Sequence, residues 1–268
     1  AEEYRKINPK VTFDVSAGGA GKGMTDALSN AVDIGMVSRA IVPEEEAQGA
    51  YWVPVTKDAV FATVNAQNPV LQELLTTGLT KEVLVKIFVT SELKTWGDVV
   101  GKPEIADEIH VYNRSDACGA GETWAKYLGG KKQEDLFGVG IYGDPGLLDA
   151  VLKDPLGICY NNLNYAFDMT TGMPVAGTVT LPIDYNENGV ADPDEMLTTK
   201  DAAVQAVATG KYPSPPARDL NLVTRGKPSS LVQAFIIWIL MDGQKYIGEV
   251  GYIQLPPEQI NEALLKVK

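Results

Sequence analysis

Cysteine, histidine and arginine are all scarce in this chain of 268 residues. The only two cysteines, Cys118 and Cys159, make no disulfide framework, and one bridge or two free thiols are equally open. The single histidine, His110, argues against Ser–His–Asp and Cys–His catalysis and against a His-rich zinc site. Nucleophilic and zinc-dependent enzymes are therefore weak candidates.

Long hydrophobic runs are also lacking. The longest apolar stretch covers residues 231–241 and is broken by Gln233, whereas a membrane-spanning helix needs about 20 apolar residues. We therefore expect a buried helix in this stretch. Four of the first six residues are charged, and this start contains no apolar core of a signal peptide, so a cytoplasmic protein and a processed or trimmed form both remain open.

Positive charge is in short supply, and the formal net charge is −12. That balance argues against a nucleic acid or an anionic membrane as partner, because counterion release requires clustered lysine and arginine. It does not exclude a small anion, since surface charges are screened beyond about 10 Å and a local site acts at shorter range. The rest of the composition is that of an ordinary globular protein, with one large domain or two lobes.

Strand-like and helix-like segments alternate along the chain, which predicts an α/β fold with mainly parallel sheets. Residues 11–15 and 32–38 are predicted strands, and the continuous apolar run at 59–65 is typical of a strand buried on both faces. Residues 80–88 predict a helix with Thr80 as its N-cap.

A glycine-rich loop at residues 16–23 joins a predicted strand to a predicted helix. Its glycines allow the backbone to approach a ligand closely, and the N–H groups and dipole of the following helix favour an anion. The candidate ligand groups are Ser16, Gly19, Ala20 and Gly21. The spacing fits neither a Walker A loop nor G-x-G-x-x-G, and a plain flexible turn is an equally good interpretation.

A second loop of the same kind begins at Arg114, where another predicted strand ends, and continues through Cys118, Gly119 and Ala120. An arginine beside helix-start amides suits oxyanion capture because its guanidinium can donate two hydrogen bonds to one anion. Alone, a surface arginine and a capped helix would be the commoner outcome. Ser38 and Arg39 follow a further predicted strand and could also donate hydrogen bonds to an anion. Alone, this pair is weaker evidence for an anion site than the two loops.

Residues 184–195 match the calcium-loop pattern D-x-[DN]-x-[DN]-G-x5-E at each fixed position. Gly189 permits the sharp turn of such a loop, and magnesium fits less well because it resists so many protein ligands. The alternative is an Asx-rich turn without metal. We expect a structural Ca²⁺ ion here, bound by Asp184, Asn186, Asn188, the carbonyl of Val190, Asp192 and Glu195.

Many short segments, none decisive alone, resemble in their order and spacing the PstS-type phosphate-binding proteins of ABC importers, over nearly the whole chain. The segments that carry this resemblance are residues 8–11, 16–23, 32–39, 51–55, 59–65, 95–98, 114–123, 212–213 and 251–255.

The resemblance implies a two-lobe, type II periplasmic-binding fold of mixed sheets flanked by helices, with two crossover strands as hinge. Lobe 1 would hold residues 1–63 and 220–268, and lobe 2 would hold residues 64–219 with the calcium-type loop inserted. The implied function is non-enzymatic binding of inorganic phosphate outside the cytoplasm, periplasmic or membrane-anchored at the cell surface. The implied partner is the membrane permease of an ABC importer.

Several family ligand groups are altered. The family arginine falls on Arg114, but hydroxyls of the two helix starts fall on Ala20, Cys118 and Ala120, and an aspartate that accepts a phosphate proton falls on Ser38. The family also opens with a strand and a ligand loop that precede this sequence. We therefore expect weakened anion binding or a homodimer formed through the exposed sheet edge.

Three alternatives to phosphate binding stay open. The first is another tetrahedral oxyanion such as sulfate or molybdate, which the altered ligand groups allow. The second is a phosphoester-acting enzyme, although no base is apparent beside Cys118. The third is a calcium-stabilised surface module that would not respond to anions.

Overall fold

The computed structural model describes residues 1–268. The helices are α1 (Glu2–Ile7), α2 (Ala20–Leu28), α3 (Pro43–Ala47), α4 (Leu71–Thr77), α5 (Lys81–Phe88), α6 (Trp96–Val100), α7 (Gly119–Tyr127), α8 (Gly143–Lys153), α9 (Leu163–Ala166), α10 (Lys200–Ala208), α11 (Ser230–Leu240) and α12 (Pro257–Val267). The strands are β1 (Gly35–Val37), β2 (Ala50–Asn65), β3 (His110–Arg114), β4 (Val139–Ile141), β5 (Gly157–Asn162), β6 (Thr178–Thr180) and β7 (Ala217–Arg225).

The chain forms two compact units. Unit 1 comprises residues 1–57, 219–250 and 254–268, and unit 2 comprises residues 58–218 and 251–253. The chain passes from one unit to the other inside the long strands β2 and β7. The sequence placed these divisions a few residues later on β2, at 63/64, and at 219/220 on β7.

In unit 1, β1 pairs antiparallel with β7, with Gly35 opposite Val223. Helix α11 covers the predicted buried helix, but it buries one face only. Val232, Ile236 and Leu240 point into the core at intervals of four residues, whereas Leu231 is 57% exposed. The apolar run is therefore a helix of unit 1 with one buried face. None of the helices combines the length and the hydropathy of a membrane span.

Two glycines set how closely α2 packs on β1. A Cβ atom on Gly23 would overlap the carbonyl oxygen of Met36, and one on Gly35 would overlap that of Gly23. Gly21, two residues earlier in α2, faces open space. Gly23, one of the glycines that predict a ligand loop, therefore serves helix–strand packing.

The strand predicted at residues 11–15 is wrong, because residues 11–19 are neither helical nor extended in a sheet. A strand requires a hydrogen-bonded neighbour, and no strand of unit 1 pairs with this segment. Val15 is 69% exposed as a result. Since β1 pairs with β7 alone, the homodimer through an open sheet edge stays a prediction.

Unit 2 has a mixed sheet, which confirms the predicted α/β class with mixed sheets and flanking helices. The mainly parallel sheet expected from the alternation of elements is wrong, because β2 pairs antiparallel with both β5 and β6. Strand β5 pairs antiparallel with β2 and parallel with β3, and β3 pairs parallel with β4. Residues 59–65 of β2 are fully buried, as the apolar run predicts. Thr80 caps α5 by accepting a hydrogen bond from the backbone N–H of Val83, which confirms that prediction as well.

The core of unit 2 is aromatic. Trp124 stacks on Tyr160 with 5.7 Å between ring centroids, and Phe88 meets Trp124 edge to face at 5.6 Å. Both cysteines are buried here as free thiols, so the open choice between one bridge and two thiols resolves to two thiols.

A buried ion pair lies where the long strands enter unit 2. Arg218 is 7% exposed and Asp58 is 3% exposed, and Nη2 of Arg218 donates to Asp58 Oδ2 at 3.2 Å and to Asn162 Oδ1 at 2.7 Å. Nε and Nη1 of Arg218 have no hydrogen-bond partner. Burial raises the pKa of Asp58, and the charge of Arg218 opposes that shift.

Candidate functional site

Arg114 is placed at the end of β3 by the sheet of unit 2. Its side chain is only 7% exposed. Nε donates to Asp116 Oδ1 at 2.7 Å and Nη2 donates to Asp116 Oδ2, while Nη1 donates to Asp144 Oδ1 at 2.7 Å. The guanidinium is therefore held in one orientation by two carboxylates, with two of its five N–H groups left over.

The parallel register explains why these charges meet. Arg114 lies opposite Ile141 of β4, so the carboxyl ends of β3 and β4 share one edge. Helix α8 starts two residues after β4 and carries Asp144 in its first turn. The backbone N–H of Gly143 donates to Asp116 Oδ1 at 3.0 Å, which links the start of α8 to the Arg114 loop.

Helix α7 begins beside Arg114. Cys118 is its N-cap, and the Sγ atom accepts a hydrogen bond from the N–H of Gly121 at 3.3 Å. The N–H groups of Gly119 and Ala120 have no acceptor within the protein. They point out of the positive end of a nine-residue helix, which is the arrangement that binds an oxyanion.

Gln133 holds the loop between Arg114 and α7 in place. Its Oε1 accepts from the N–H of Cys118 at 3.0 Å, and its Nε2 donates to the carbonyls of Asp116 at 2.6 Å and Arg114 at 3.3 Å. The side chain is 8% exposed, so it acts from beneath the loop. Gln133 was not predicted as a site residue, because no motif in the surrounding sequence marks it.

Electrostatics keep this cluster charged. Burial lowers the pKa of Arg114, but the hydrogen bond to Asp116 and the neighbouring negative charges, among them Asp144, raise it further than burial lowers it. The Arg114 hydrogen bond is the main cause that lowers the pKa of Asp116 to about 2. Burial raises the pKa of the Cys118 thiol, so this cysteine is a neutral cap rather than a thiolate nucleophile.

The other predicted ligand groups lie in unit 1. Gly19 is the N-cap of α2, which puts Ala20 and Gly21 in its first turn, and Ser16 is exposed in the segment before it. Ser38 and Arg39 follow β1 and are partly buried.

Arg39 already has an anionic partner. Its guanidinium forms a two-pronged ion pair with Glu45, with Nη2 at 2.7 Å from Oε1 and Nη1 at 2.9 Å from Oε2. This pair lowers the pKa of Glu45. An external anion would have to share Arg39 with that carboxylate.

The loop at 184–195 is folded by its own polar side chains. Asp184 accepts from the N–H groups of Asn188 and Gly189, at 3.1 and 2.9 Å. Glu195 accepts from the N–H groups of Tyr185 and Asp192, at 3.1 and 2.9 Å. Asp184 is 1% exposed and Glu195 is 3% exposed, and neither carboxylate forms an ion pair with a basic side chain.

Asp192 stands apart from those two carboxylates. Its Oδ2 accepts from the side-chain amides of Asn186 and Asn188, at 2.8 and 2.9 Å. Accordingly, the structure contains no group of three or more Asp, Glu, His or Cys side chains arranged to hold a metal ion. Gly189 has φ +79°, as the sharp turn of the sequence pattern requires.

The chain is similar to known proteins in sequence and in fold. The profile of the family described as "PBP superfamily domain" matches residues 1–242. A curated relative is the phosphate-binding protein PstS of Methanocaldococcus jannaschii, which is 27% identical over 321 residues, covering 96% of this chain and 78% of that protein.

Solved structures share the fold. One is a putative phosphate ABC transporter substrate-binding protein with bound phosphate from Clostridium perfringens, with a TM-score of 0.73, 21% identity, and coverage of 96% of this chain and 93% of that one. Another is an ABC-type phosphate transport receptor from Vibrio cholerae, with a TM-score of 0.71, 17% identity, and coverage of 95% and 93%.

Proposed function

This chain belongs to the PBP superfamily, and on that premise we propose that it binds inorganic phosphate without transforming it. The observation that carries this proposal is that Arg114 lies beside the free backbone N–H groups of Gly119 and Ala120. A fixed guanidinium beside the positive end of a helix offers several donors to one tetrahedral oxyanion. The relative from M. jannaschii carries the name of a phosphate-binding protein.

The same names support a role in transport. The C. perfringens and V. cholerae proteins are described as components of phosphate ABC transport. We therefore propose that this chain works outside the cytoplasm and delivers its anion to the membrane permease of an ABC importer. Binding rather than catalysis fits the Arg114 site, since its cysteine is a neutral cap and His110 pairs elsewhere, with Asp154 at 2.7 Å.

Phosphate is expected to stabilise the chain against heat, because a ligand that binds only the folded state adds to its stability. At 100 times the dissociation constant, the gain is about 2.7 kcal/mol. The measurement is a thermal-shift series with phosphate, arsenate, sulfate, molybdate and a sugar, followed by calorimetric titration of the strongest hit. If no oxyanion changes the melting temperature, the proposed function is wrong.

We further propose that the loop at 184–195 binds a structural Ca²⁺ ion. Two carboxylates, Asp184 and Glu195, are almost fully buried without a basic partner, and a divalent cation would balance them. Asn186 and Asn188 supply further oxygens at the spacing of the pattern, and Asp192 would turn toward the ion or reach it through water.

Calcium is expected to raise the melting temperature by several degrees, because the ion cross-links the ligand residues of the folded loop. A chelator is expected to reverse the rise. Asp184→Asn should remove this response. Glu187→Gln is the matched control, since it deletes one charge from the same loop at a position without a ligand role. An unchanged melting temperature of the parent chain across a calcium titration would rule out the ion.

A further inference from the structure

Asp144 presents a free acceptor atom at the Arg114 site. Its Oδ1 accepts from Nη1 of Arg114 at 2.7 Å, while its Oδ2 accepts no hydrogen bond. The side chain is 19% exposed, so the free oxygen is accessible. No local sequence pattern marks Asp144, because it becomes part of the site only through the pairing of β3 with β4.

The carboxylates of the cluster do not favour an oxyanion that has no proton to donate. Arg114 supplies one positive charge, whereas Asp116 and Asp144 supply two negative charges. The site therefore carries one excess negative charge, offset only by the partial positive charge at the start of α7. An oxyanion without a hydroxyl would place its own lone pairs against the free Oδ2 of Asp144.

A protonated oxyanion meets the same groups without that conflict. Its bare oxygens can accept from the N–H groups of Gly119 and Ala120 and from the two remaining N–H groups of Arg114. Its hydroxyl can donate to Asp144 Oδ2, forming a hydrogen bond to a charged acceptor. Asp144 lies close enough to the start of α7 to affect Cys118. Burial is the main cause that raises the pKa of the Cys118 thiol, and the charges of Asp116 and Asp144 raise it further.

We propose that Asp144 is the residue that selects a protonated tetrahedral oxyanion, such as hydrogen phosphate or hydrogen arsenate, over sulfate. This proposal rests on the proposed function of the Arg114 site. It gives unit 2 a proton acceptor of its own. Hydrogen phosphate keeps one proton at neutral pH, whereas sulfate has none.

The test compares the parent chain with Asp144→Asn and Asp144→Ser by calorimetric titration with phosphate and with sulfate at neutral pH. The parent should bind phosphate and show no measurable heat with sulfate. Both variants should bind sulfate and lose about tenfold in phosphate affinity, since one charge-assisted hydrogen bond is lost. The phosphate-to-sulfate preference should fall by at least about 100-fold.

The matched control is Asp149→Asn. Asp149 lies on the same helix, α8, and its side chain is 60% exposed in an ion pair with Lys153. The substitution therefore deletes the same negative charge from α8 at a position that does not contact Arg114. It should leave both affinities unchanged.

Selectivity that persists in both Asp144 variants would overturn the proposal, as would a parent chain that binds sulfate as tightly as phosphate. In either case the oxyanion function would stand. A parent chain that binds no oxyanion would instead refute the proposed function itself.

Discussion

Arg114→Gln is expected to abolish phosphate binding. The replacement removes the guanidinium beside the start of α7 and leaves Asp116 and Asp144 without their shared cation. Each charge-assisted hydrogen bond is worth about 1.5–3 kcal/mol, and the two uncompensated carboxylates add repulsion. Phosphate affinity should therefore fall at least about 1,000-fold in calorimetric titration.

Two further variants separate charge from geometry. Arg114→Lys keeps the charge but loses the planar fork, so we expect an intermediate loss of about 10- to 100-fold. Arg225→Gln removes an exposed arginine at the end of β7 and should bind phosphate like the parent. Phosphate binding of parental strength by Arg114→Gln, with an unchanged circular dichroism spectrum, would show that the anion binds elsewhere.

Arg218→Met is expected to produce the largest loss of stability. It leaves Asp58, which is 3% exposed, as a buried carboxylate without its cation. Breaking a buried ion pair from one side costs about 3–5 kcal/mol. Because burial already raises the pKa of Asp58 against the opposing charge of Arg218, removing the arginine favours the protonated acid. The melting temperature should fall by roughly 10 °C in scanning calorimetry.

Replacing both partners of the ion pair should recover most of the stability that Arg218→Met loses. Nε and Nη1 of Arg218 lack hydrogen-bond partners, so the native ion pair is incompletely satisfied. We therefore expect the neutral Asp58→Asn, Arg218→Met double variant to lose little free energy of unfolding relative to the parent. Lys57→Met is the control, since its ion pair with Asp219 is partly exposed and is worth at most about 1 kcal/mol. A double variant as unstable as Arg218→Met alone would mean that the methionine itself, not the unpaired charge, destabilises unit 2.

Local signals made part of the fold predictable. Thr80 and the apolar spacing after it predicted α5, because an N-cap and a buried stripe are properties of adjacent residues. The apolar run at 59–65 predicted a buried strand for the same reason. Residues 11–15 have an equally strand-like composition, yet they form no strand, because strand formation depends on a neighbour that the local sequence does not contain.

The sequence by itself determined the α/β class, the position of Arg114 at a strand end, a loop of small residues leading from it into a helix, and the spacing of the loop at 184–195. Each of these is encoded in residues close together along the chain. The tertiary structure alone decided that Asp144, 30 residues after Arg114, binds the guanidinium, that Gln133 supports the loop, and that Gly23 serves helix packing. These contacts depend on strand pairing and on the close approach of elements, and local sequence patterns do not specify either.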